Sequence, residues 1–147
     1  MYKRNNRGIT LIALVITIIV LLILAGVSIS MLAGNNSILN NATTAVKEKA
    51  LGDVKEQVLL VVYETYTEYH SKEVTHALDE GETLYGDTKA ALAGIIGKSI
   101  NRDVSINGAE QTVEGGKKYV VTLTYSKDTS STVTGTLLES SGVFNWD

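Results

Sequence analysis

The chain has 147 residues, of which 44% are apolar and 20% charged, and it contains neither Cys nor Pro. This length provides for one modest domain, and the missing Cys excludes disulfides, a thiol nucleophile and a Cys-based zinc site. A net charge of −3 at pH 7 argues against a nucleic-acid-binding domain, because such domains concentrate basic residues on one surface.

The basic residues of the N-terminus precede a long uncharged segment. Lys3, Arg4 and Arg7 come first, and no charged residue follows until Lys47. Residues 9–32 are polar only at four hydroxyl side chains, which can bond back to a helix backbone: Thr10, Thr17, Ser28 and Ser30. As a helix, this stretch reaches about 36 Å, enough to cross a hydrocarbon core of about 30 Å. The positive flank predicts a membrane span with its N-terminus in the cytoplasm and its C-terminus outside.

Other interpretations of this apolar segment are weighed against a retained span. A removable secretory signal has an apolar core of about 7 to 15 residues, shorter than this one, although Ala25-Gly26-Val27 resembles a weak cleavage site. The β-branched residues would suit a buried strand in water, but in lipid only a helix satisfies its own backbone. Gly26, Ser30 and Gly34 lie on one helix face and favour close packing of another helix. The alternative is that small residues are simply common in membrane helices.

The junction between the basic leader and the apolar segment reads Arg7-Gly8-Ile9-Thr10-Leu11-Ile12. This string, with the short leader before it and the long apolar helix after it, resembles the signal of type IV prepilins. The resemblance covers about residues 3–34. It implies that a membrane prepilin peptidase cuts between Gly8 and Ile9 on the cytoplasmic side and methylates the new amine of Ile9. It also implies that the hydrophobic helix is retained.

The chain departs from the family pattern at two points. The family usually carries a Glu five residues into the mature chain, where this sequence has Ala13. That Glu is thought to pair with the N-terminal amine of a neighbouring subunit, so Ala13 removes the usual assembly contact, whereas the Gly required for cleavage is present. An unpaired carboxylate at mid-helix would cost about 2.5 to 3.5 kcal/mol in the membrane. Many relatives from Gram-positive bacteria also lack the Glu, which implies such a source, and the helix-bending Pro of the family is missing as well.

An amphipathic helix is predicted beyond the membrane segment. Lys and Glu occupy one face, and apolar side chains recur every three or four residues on the other, chiefly Leu51, Val54, Val58 and Val62. We expect one long helix over about residues 9–69, bent or interrupted at Gly34-Asn35-Asn36.

The C-terminal half predicts a small antiparallel sheet. Alternation of apolar and polar side chains predicts strands over residues 118–125, 132–138 and 143–146. Residues 104–106 form a further candidate strand before Asn107-Gly108, a pair that favours a tight hairpin turn. An acidic loop over residues 79–87 and a short helix over 88–100 are expected before the strands. Because so small a sheet cannot bury a large core alone, the apolar stripe of the long helix is expected to cover it.

The predicted fold class is therefore α+β, a pilin-like arrangement in which a long N-terminal helix packs on a small antiparallel β-sheet. The expected organisation is a leader over residues 1–8, a transmembrane or filament-core helix over 9–34, the amphipathic upper half over 35–72, and an extracytoplasmic α+β domain over 73–147.

Several patterns that could carry chemistry favour ordinary surface instead. Gly97-Lys98-Ser99 resembles part of a phosphate loop, but Leu92 replaces the first required Gly. His70 and His76 are spaced unlike a helical metal pair, and the acidic loop lacks the alternating ligands of an EF-hand. Aromatic side chains spaced by three near the top of the long helix are typical of core or subunit contacts: Tyr63, Tyr66 and Tyr69. With no nucleophile beside a base, we expect neither an enzyme nor a cofactor.

The resemblance implies a structural function. The subunit would polymerise through its N-terminal helix into a helical filament with copies of itself and other pilins, assisted by the prepilin peptidase, an assembly ATPase and a platform membrane protein. It would lie in the cytoplasmic membrane before assembly and at the cell surface afterwards. Two alternatives stay open: a minor pilin or pseudopilin of a type II secretion or competence (DNA-uptake) system, and an unprocessed single-pass protein whose outer domain binds a ligand. Direct contact with nucleic acid is not predicted.

Overall fold

The structure is a computed structural model that describes residues 7–34, 38–98 and 100–147, with side chains described from Thr10 onward. The elements in chain order are helices α1 Arg7–Ala33, α2 Ile38–Thr75 and α3 Leu84–Ile95, followed by strands β1 Val104–Val113, β2 Gly116–Tyr125, β3 Asp128–Leu138 and β4 Phe144–Trp146. The chain divides into two compact units, Met1–Val46 and Lys47–Asp147. The second unit is called the headpiece below.

The hydroxyl side chains of α1 are satisfied within the helix. Three of them donate to a carbonyl about one turn earlier at 2.8 to 2.9 Å, and these pairs are Thr17 to Leu14, Ser28 to Leu24 and Ser30 to Gly26. Such bonds spare the hydroxyls the cost of standing unpaired in an apolar environment. The expected bonding back to the helix is confirmed for these three side chains.

The first helix ends where a break was predicted. Ala33 is its last residue, and the Gly34 N–H donates to the Ser30 carbonyl at 3.1 Å. Asn35 and Asn36, the rest of the predicted break, lie outside the described residues.

The second helix is longer than predicted and ends at Thr75 instead of near Tyr69. His76 adopts a left-handed backbone with φ of 56°. The N–H of Ala77 then donates to the Lys72 carbonyl at 2.9 Å, and the N–H of His76 donates to the Glu73 carbonyl at 3.3 Å. This pair of bonds is the Schellman arrangement, in which a left-handed residue satisfies the last carbonyls of a helix.

The third helix begins earlier than predicted. The expected range of 88–100 is wrong, because Thr83 caps the helix: its Oγ1 accepts a hydrogen bond from the Gly86 N–H at 3.0 Å. The acidic loop consequently ends at Thr83, and Asp87 lies in the first turn of α3, where a carboxylate is favoured by the helix dipole.

The four strands form an antiparallel sheet in the order β1-β2-β3-β4. All predicted strands are present, but the predicted hairpin at Asn107-Gly108 is wrong. β1 runs straight through this pair, which is opposite Thr122 and Val121 of β2. The chain instead reverses after Val113, where Gly115 has a φ of +99° that favours glycine.

The core of the headpiece lies between α2 and α3 on one side and the sheet on the other. α2 contributes the predicted stripe, with Val54 and Val58 fully buried, and α3 contributes Leu92. The inner face of the sheet contributes alternate residues along each strand, including Ile106, Tyr119, Val121, Leu123 and Leu137. The predicted α+β class, with a helix packed on an antiparallel sheet, is confirmed.

The strands follow the length of α2 within the headpiece. Lys47 donates to Ser131 near the start of β3 at 2.9 Å. Two turns further along α2, the Lys55 ammonium lies 5.2 Å from the ring centre of Trp146. Leu59 and Val62 then lie beside Phe144. These contacts bring one face of α2 against the sheet between Lys47 and Val62.

Candidate functional site

The most unusual surface of the described chain is that of α1. Sixteen large apolar side chains between Leu11 and Leu32 are each 46 to 68% exposed. One described helical stretch is long and apolar enough to cross a membrane, and none of its apolar window is buried. Covering these side chains is worth on the order of 1 kcal/mol each, so together they outweigh the usual net stability of a domain, about 5 to 15 kcal/mol. This apolar surface is unfavourable in water, and lipid or other apolar helices would cover it.

The residues of the predicted processing site lie at the start of α1. The helix begins at Arg7, so the Gly8-Ile9 junction falls in its first turn. The side chains of both residues lie outside the described part of the structure. Cleavage between Gly8 and Ile9 and methylation of Ile9 therefore stay predictions from the sequence. Ala13, in place of the family's Glu, is exposed among apolar neighbours.

The small residues predicted to pack against another helix, Gly26, Ser30 and Gly34, are joined by hydrogen bonds within α1. Ser30 donates to the carbonyl of Gly26, and the N–H of Gly34 donates to the carbonyl of Ser30. A methyl group built at Gly26 would meet no other side chain of residues 10–34, 38–98 and 100–147 within 4 Å, so these residues leave open space in front of it. The surface there is free for another helix to approach, and packing of a second helix against the stripe remains a prediction.

A cluster of charges closes the loop between α2 and α3. The Lys72 ammonium lies 2.8 Å from Glu82 Oε1, and Glu82 Oε2 accepts the N–H of Asp79 at 2.8 Å. The hydrogen bond from Lys72 lowers the pKa of Glu82, whereas burial raises the pKa of Asp87. The acidic loop thus has a structural role, since its central carboxylate is used to fasten the end of α2.

A second cluster joins α3 to the first strand. Glu110 of β1 pairs with Lys89 of α3 and with Lys117 of β2, the latter at 3.3 Å. The hydrogen bond from Lys89 lowers the pKa of Glu110. Tyr85 Oη also donates to this carboxylate at 3.4 Å. These contacts position α3 over the edge of the sheet.

The histidines are held by neighbouring groups of α2. His70 Nδ1 lies 2.7 Å from Glu73 Oε2, and His76 Nδ1 lies 3.2 Å from the Glu73 carbonyl. Across residues 10–34, 38–98 and 100–147, no group of three or more His, Asp or Glu is placed to hold a metal ion. Of the phosphate-loop resemblance, Lys98 is exposed and follows α3, and Ser99 lies outside the described residues.

Two tyrosines of α2 line a cavity that the sequence did not predict. Tyr63 and Tyr66 are exposed and line a cavity of about 240 Å³ together with Thr88 and Phe144. Thr88 is buried, and its hydroxyl has no hydrogen-bond partner among the residues that the structure describes. The cavity brings together residues from three distant parts of the chain, so no local sequence pattern could indicate it.

Comparisons with known proteins provide no relative. No family model, curated protein or solved structure matches the chain.

Proposed function

We propose that this protein is a type IV pilin-like structural subunit, inserted in the membrane through α1, trimmed after Gly8 and assembled through α1 into a surface filament. The observation that carries the proposal is the attachment of a long, predominantly apolar, exposed helix to a headpiece with its own core. Such a chain has one part that needs lipid or other helices around it and one part that needs water.

The energetics of α1 favour assembly by lateral packing. In a filament, neighbouring α1 helices would hide from water the side chains that the membrane hides before assembly. Membrane and filament thus compete for the same surface, and moving the helix from one to the other needs work. The resemblance of the N-terminal signal assigns that work to an assembly ATPase acting through a platform membrane protein, and the trimming to a prepilin peptidase.

A minor pilin or pseudopilin of a secretion or DNA-uptake system is the second candidate. Ala13 favours it, because the carboxylate that usually pairs with a neighbour's N-terminal amine is missing. A subunit without this contact depends entirely on apolar packing and on its headpiece for its place in a filament. An unprocessed membrane anchor, the third candidate, would share the apolar helix but retain residues 1–8.

The test is the N-terminus of the protein extracted from its native membrane. Intact mass and N-terminal sequencing should find a chain that begins at N-methylated Ile9. Gly8→Leu, which places a large side chain before the cut while remaining apolar and helical, should leave the chain at full length. Gly52→Ala, a Gly substitution in the headpiece, is the matched control and should be trimmed normally.

Electron microscopy of sheared surface material separates the remaining candidates. Filaments composed mainly of this chain indicate a major subunit, and filaments that contain it only in trace amounts indicate a minor one. A wild-type chain that still begins at Met1 and remains monomeric in the membrane contradicts the proposal and establishes the anchored domain.

A further inference from the structure

The cavity beside Tyr63 and Tyr66 is uncharged and rich in aromatic rings. It has a volume of about 240 Å³, and the ring of Phe144 is the third in its lining. Tyr63 and Tyr66 are 64% and 47% exposed, so their rings are accessible to a ligand. The other side chains of the lining are Leu59, Val62, Thr88, Val143 and Asn145. Among the residues that the structure describes, none that lines the cavity is charged.

The cavity lies at the acidic end of the headpiece. Residues 64–87, which begin directly after Tyr63 and end directly before Thr88, contain seven carboxylates and one lysine. That lysine, Lys72, lies 2.8 Å from Glu82 and is already paired. The rest of the headpiece carries nine basic and nine acidic residues. The whole negative excess of the headpiece is therefore concentrated in the segment that connects the α2 wall of the cavity with its α3 wall.

Carboxylates lie close to the cavity on both of these walls. Tyr63 also lines a neighbouring groove, whose charged side chains are Glu64, Glu68 and the paired Lys72. On α3, Asp87 directly precedes Thr88, and burial raises the pKa of Asp87, with a further contribution from the carboxylates near it. Crowded carboxylates create a negative potential that attracts cations and repels anions. A positively charged ligand is therefore favoured at this cavity over a neutral or negative one of the same shape.

The combination of aromatic walls and negative surroundings selects one kind of cation. A primary ammonium is strongly hydrated and loses its hydrogen bonds to water in an apolar cavity. A quaternary ammonium has no N–H to satisfy, covers its charge with methyl groups and is attracted to aromatic rings within about 6 Å. An apolar cavity of about 150 Å³ accepts benzene, so a volume of about 240 Å³ accommodates a trimethylammonium group with a short tail.

We propose that this cavity binds a small cation with a trimethylammonium group, of which choline is the simplest probe, with the methyl groups against the rings of Tyr63, Tyr66 and Phe144. The ligand is a free monocation and not the phosphocholine headgroup of a lipid, because the carboxylates that attract the ammonium repel a phosphate. The inference concerns the headpiece alone and does not depend on filament assembly.

The experiment uses the full chain, 15N-labelled, in dodecyl maltoside micelles, whose headgroup has neither charge nor ammonium. Choline is titrated while backbone amide shifts are followed. The matched probe is 3,3-dimethyl-1-butanol, which has the shape of choline with carbon in place of the charged nitrogen, and its free concentration is measured by dialysis. Glycerophosphocholine represents the lipid headgroup. The variants are Tyr63→Leu, Tyr66→Leu and a double variant, Glu64→Gln with Glu68→Gln. Tyr69→Leu is the control, since Tyr69 is on the same helix but does not line the cavity.

The expected result is a saturable shift of the amides of Thr88 and Asn145 with choline, at an affinity at least fivefold higher than that of 3,3-dimethyl-1-butanol. Tyr63→Leu and Tyr66→Leu should each weaken choline at least threefold. The double variant should weaken choline at least twofold at low salt and leave the neutral probe unchanged, and Tyr69→Leu should bind like the wild type. The comparison of the two probes on the wild type is decisive even for a variant that fails to fold.

Four results would overturn the proposal. The first is the absence of a saturable response to choline around the cavity, and the second is equal affinity for choline and its neutral isostere. The third is unchanged choline binding in both folded tyrosine variants. The fourth is tighter binding of glycerophosphocholine than of choline, which would assign the cavity to a lipid headgroup.

Discussion

The contact between α2 and the sheet can be tested by removing two methyl groups. Val58 is fully buried in the middle of α2. Val58→Ala removes two methyl groups, each worth about 0.8 kcal/mol of transfer free energy from water. The space left, roughly 50 Å³, adds about 1 kcal/mol at about 24 cal/mol per Å³. The expected loss in the free energy of unfolding is therefore about 2 to 3 kcal/mol, which corresponds to a fall in Tm of about 10 to 20 °C for a unit of this size.

Trp146, the one Trp of the sequence, lies in β4 and reports on the headpiece alone. Its fluorescence during thermal unfolding of the full chain in micelles measures the midpoint without interference from α1. Leu60→Ala is the matched control, because Leu60 is on the same helix but 55% exposed, and its expected effect is within about 0.5 kcal/mol. Val58→Asp should leave the headpiece unfolded, since an unpaired carboxylate would lie in the core. If Val58→Ala and Leu60→Ala have equally small effects, α2 does not provide the core face described above.

Three further predictions concern single positions of the headpiece. Gly52 lies inside α2, and a methyl group there would meet no other described side chain within 4 Å. Gly52→Ala should therefore raise the free energy of unfolding by about 0.5 to 1 kcal/mol, and a lower Tm would contradict the absence of a steric clash at this position. Gly108→Ala should lower the Tm, since its methyl group would lie 2.3 Å from both Ile96 Cδ1 and Tyr119 Oη, and an unchanged Tm would show that Ile96, which follows α3, and Tyr119 do not pack closely on β1 there. Hydrogen bonds from two serine hydroxyls lower the pKa of Asp128 to about 2, below its unfolded value of about 3.9. The stabilisation from Asp128 is thus complete above about pH 4 and is lost as the pH falls toward 2. Urea denaturation between these pH values should show a smaller loss for Asp128→Asn than for the wild type, and identical losses would contradict this assignment.

Local patterns predicted the helices and strands well wherever one face of an element is buried. The stripe from Leu51 to Val62 and the alternation in β2 both identify the buried face directly, because burial imposes its period on the sequence. Asn107-Gly108 was misleading for the opposite reason. Ile96 and Tyr119 approach Gly108 so closely that they leave no room for a side chain there. In the sequence, a glycine needed for such packing cannot be distinguished from a glycine needed for a turn.

Element ends were less predictable than element types. Thr83 displaced the start of α3 toward the N-terminus, and His76 ended α2 in a conformation that is uncommon for a residue with a side chain. Each end depends on hydrogen bonds to a few backbone groups, and several neighbouring residues are nearly equivalent candidates for those bonds. Charged residues were similarly ambiguous, since Glu82 looks like solvated surface in the sequence but fastens Lys72 in the structure.

The sequence by itself determined that this protein has one segment suited to apolar surroundings and one suited to water. A stretch without charges, long enough to cross a bilayer, needs an apolar environment around it, and that conclusion depends on composition and length alone. Tertiary structure alone decided what the headpiece offers its surroundings. Tyr63, Thr88 and Phe144 are separated by tens of residues and meet at one cavity only because α2, α3 and β4 pack together. A cavity assembled from three elements leaves no periodic pattern in any of them, because the residues that line it contact neighbours that are distant along the chain.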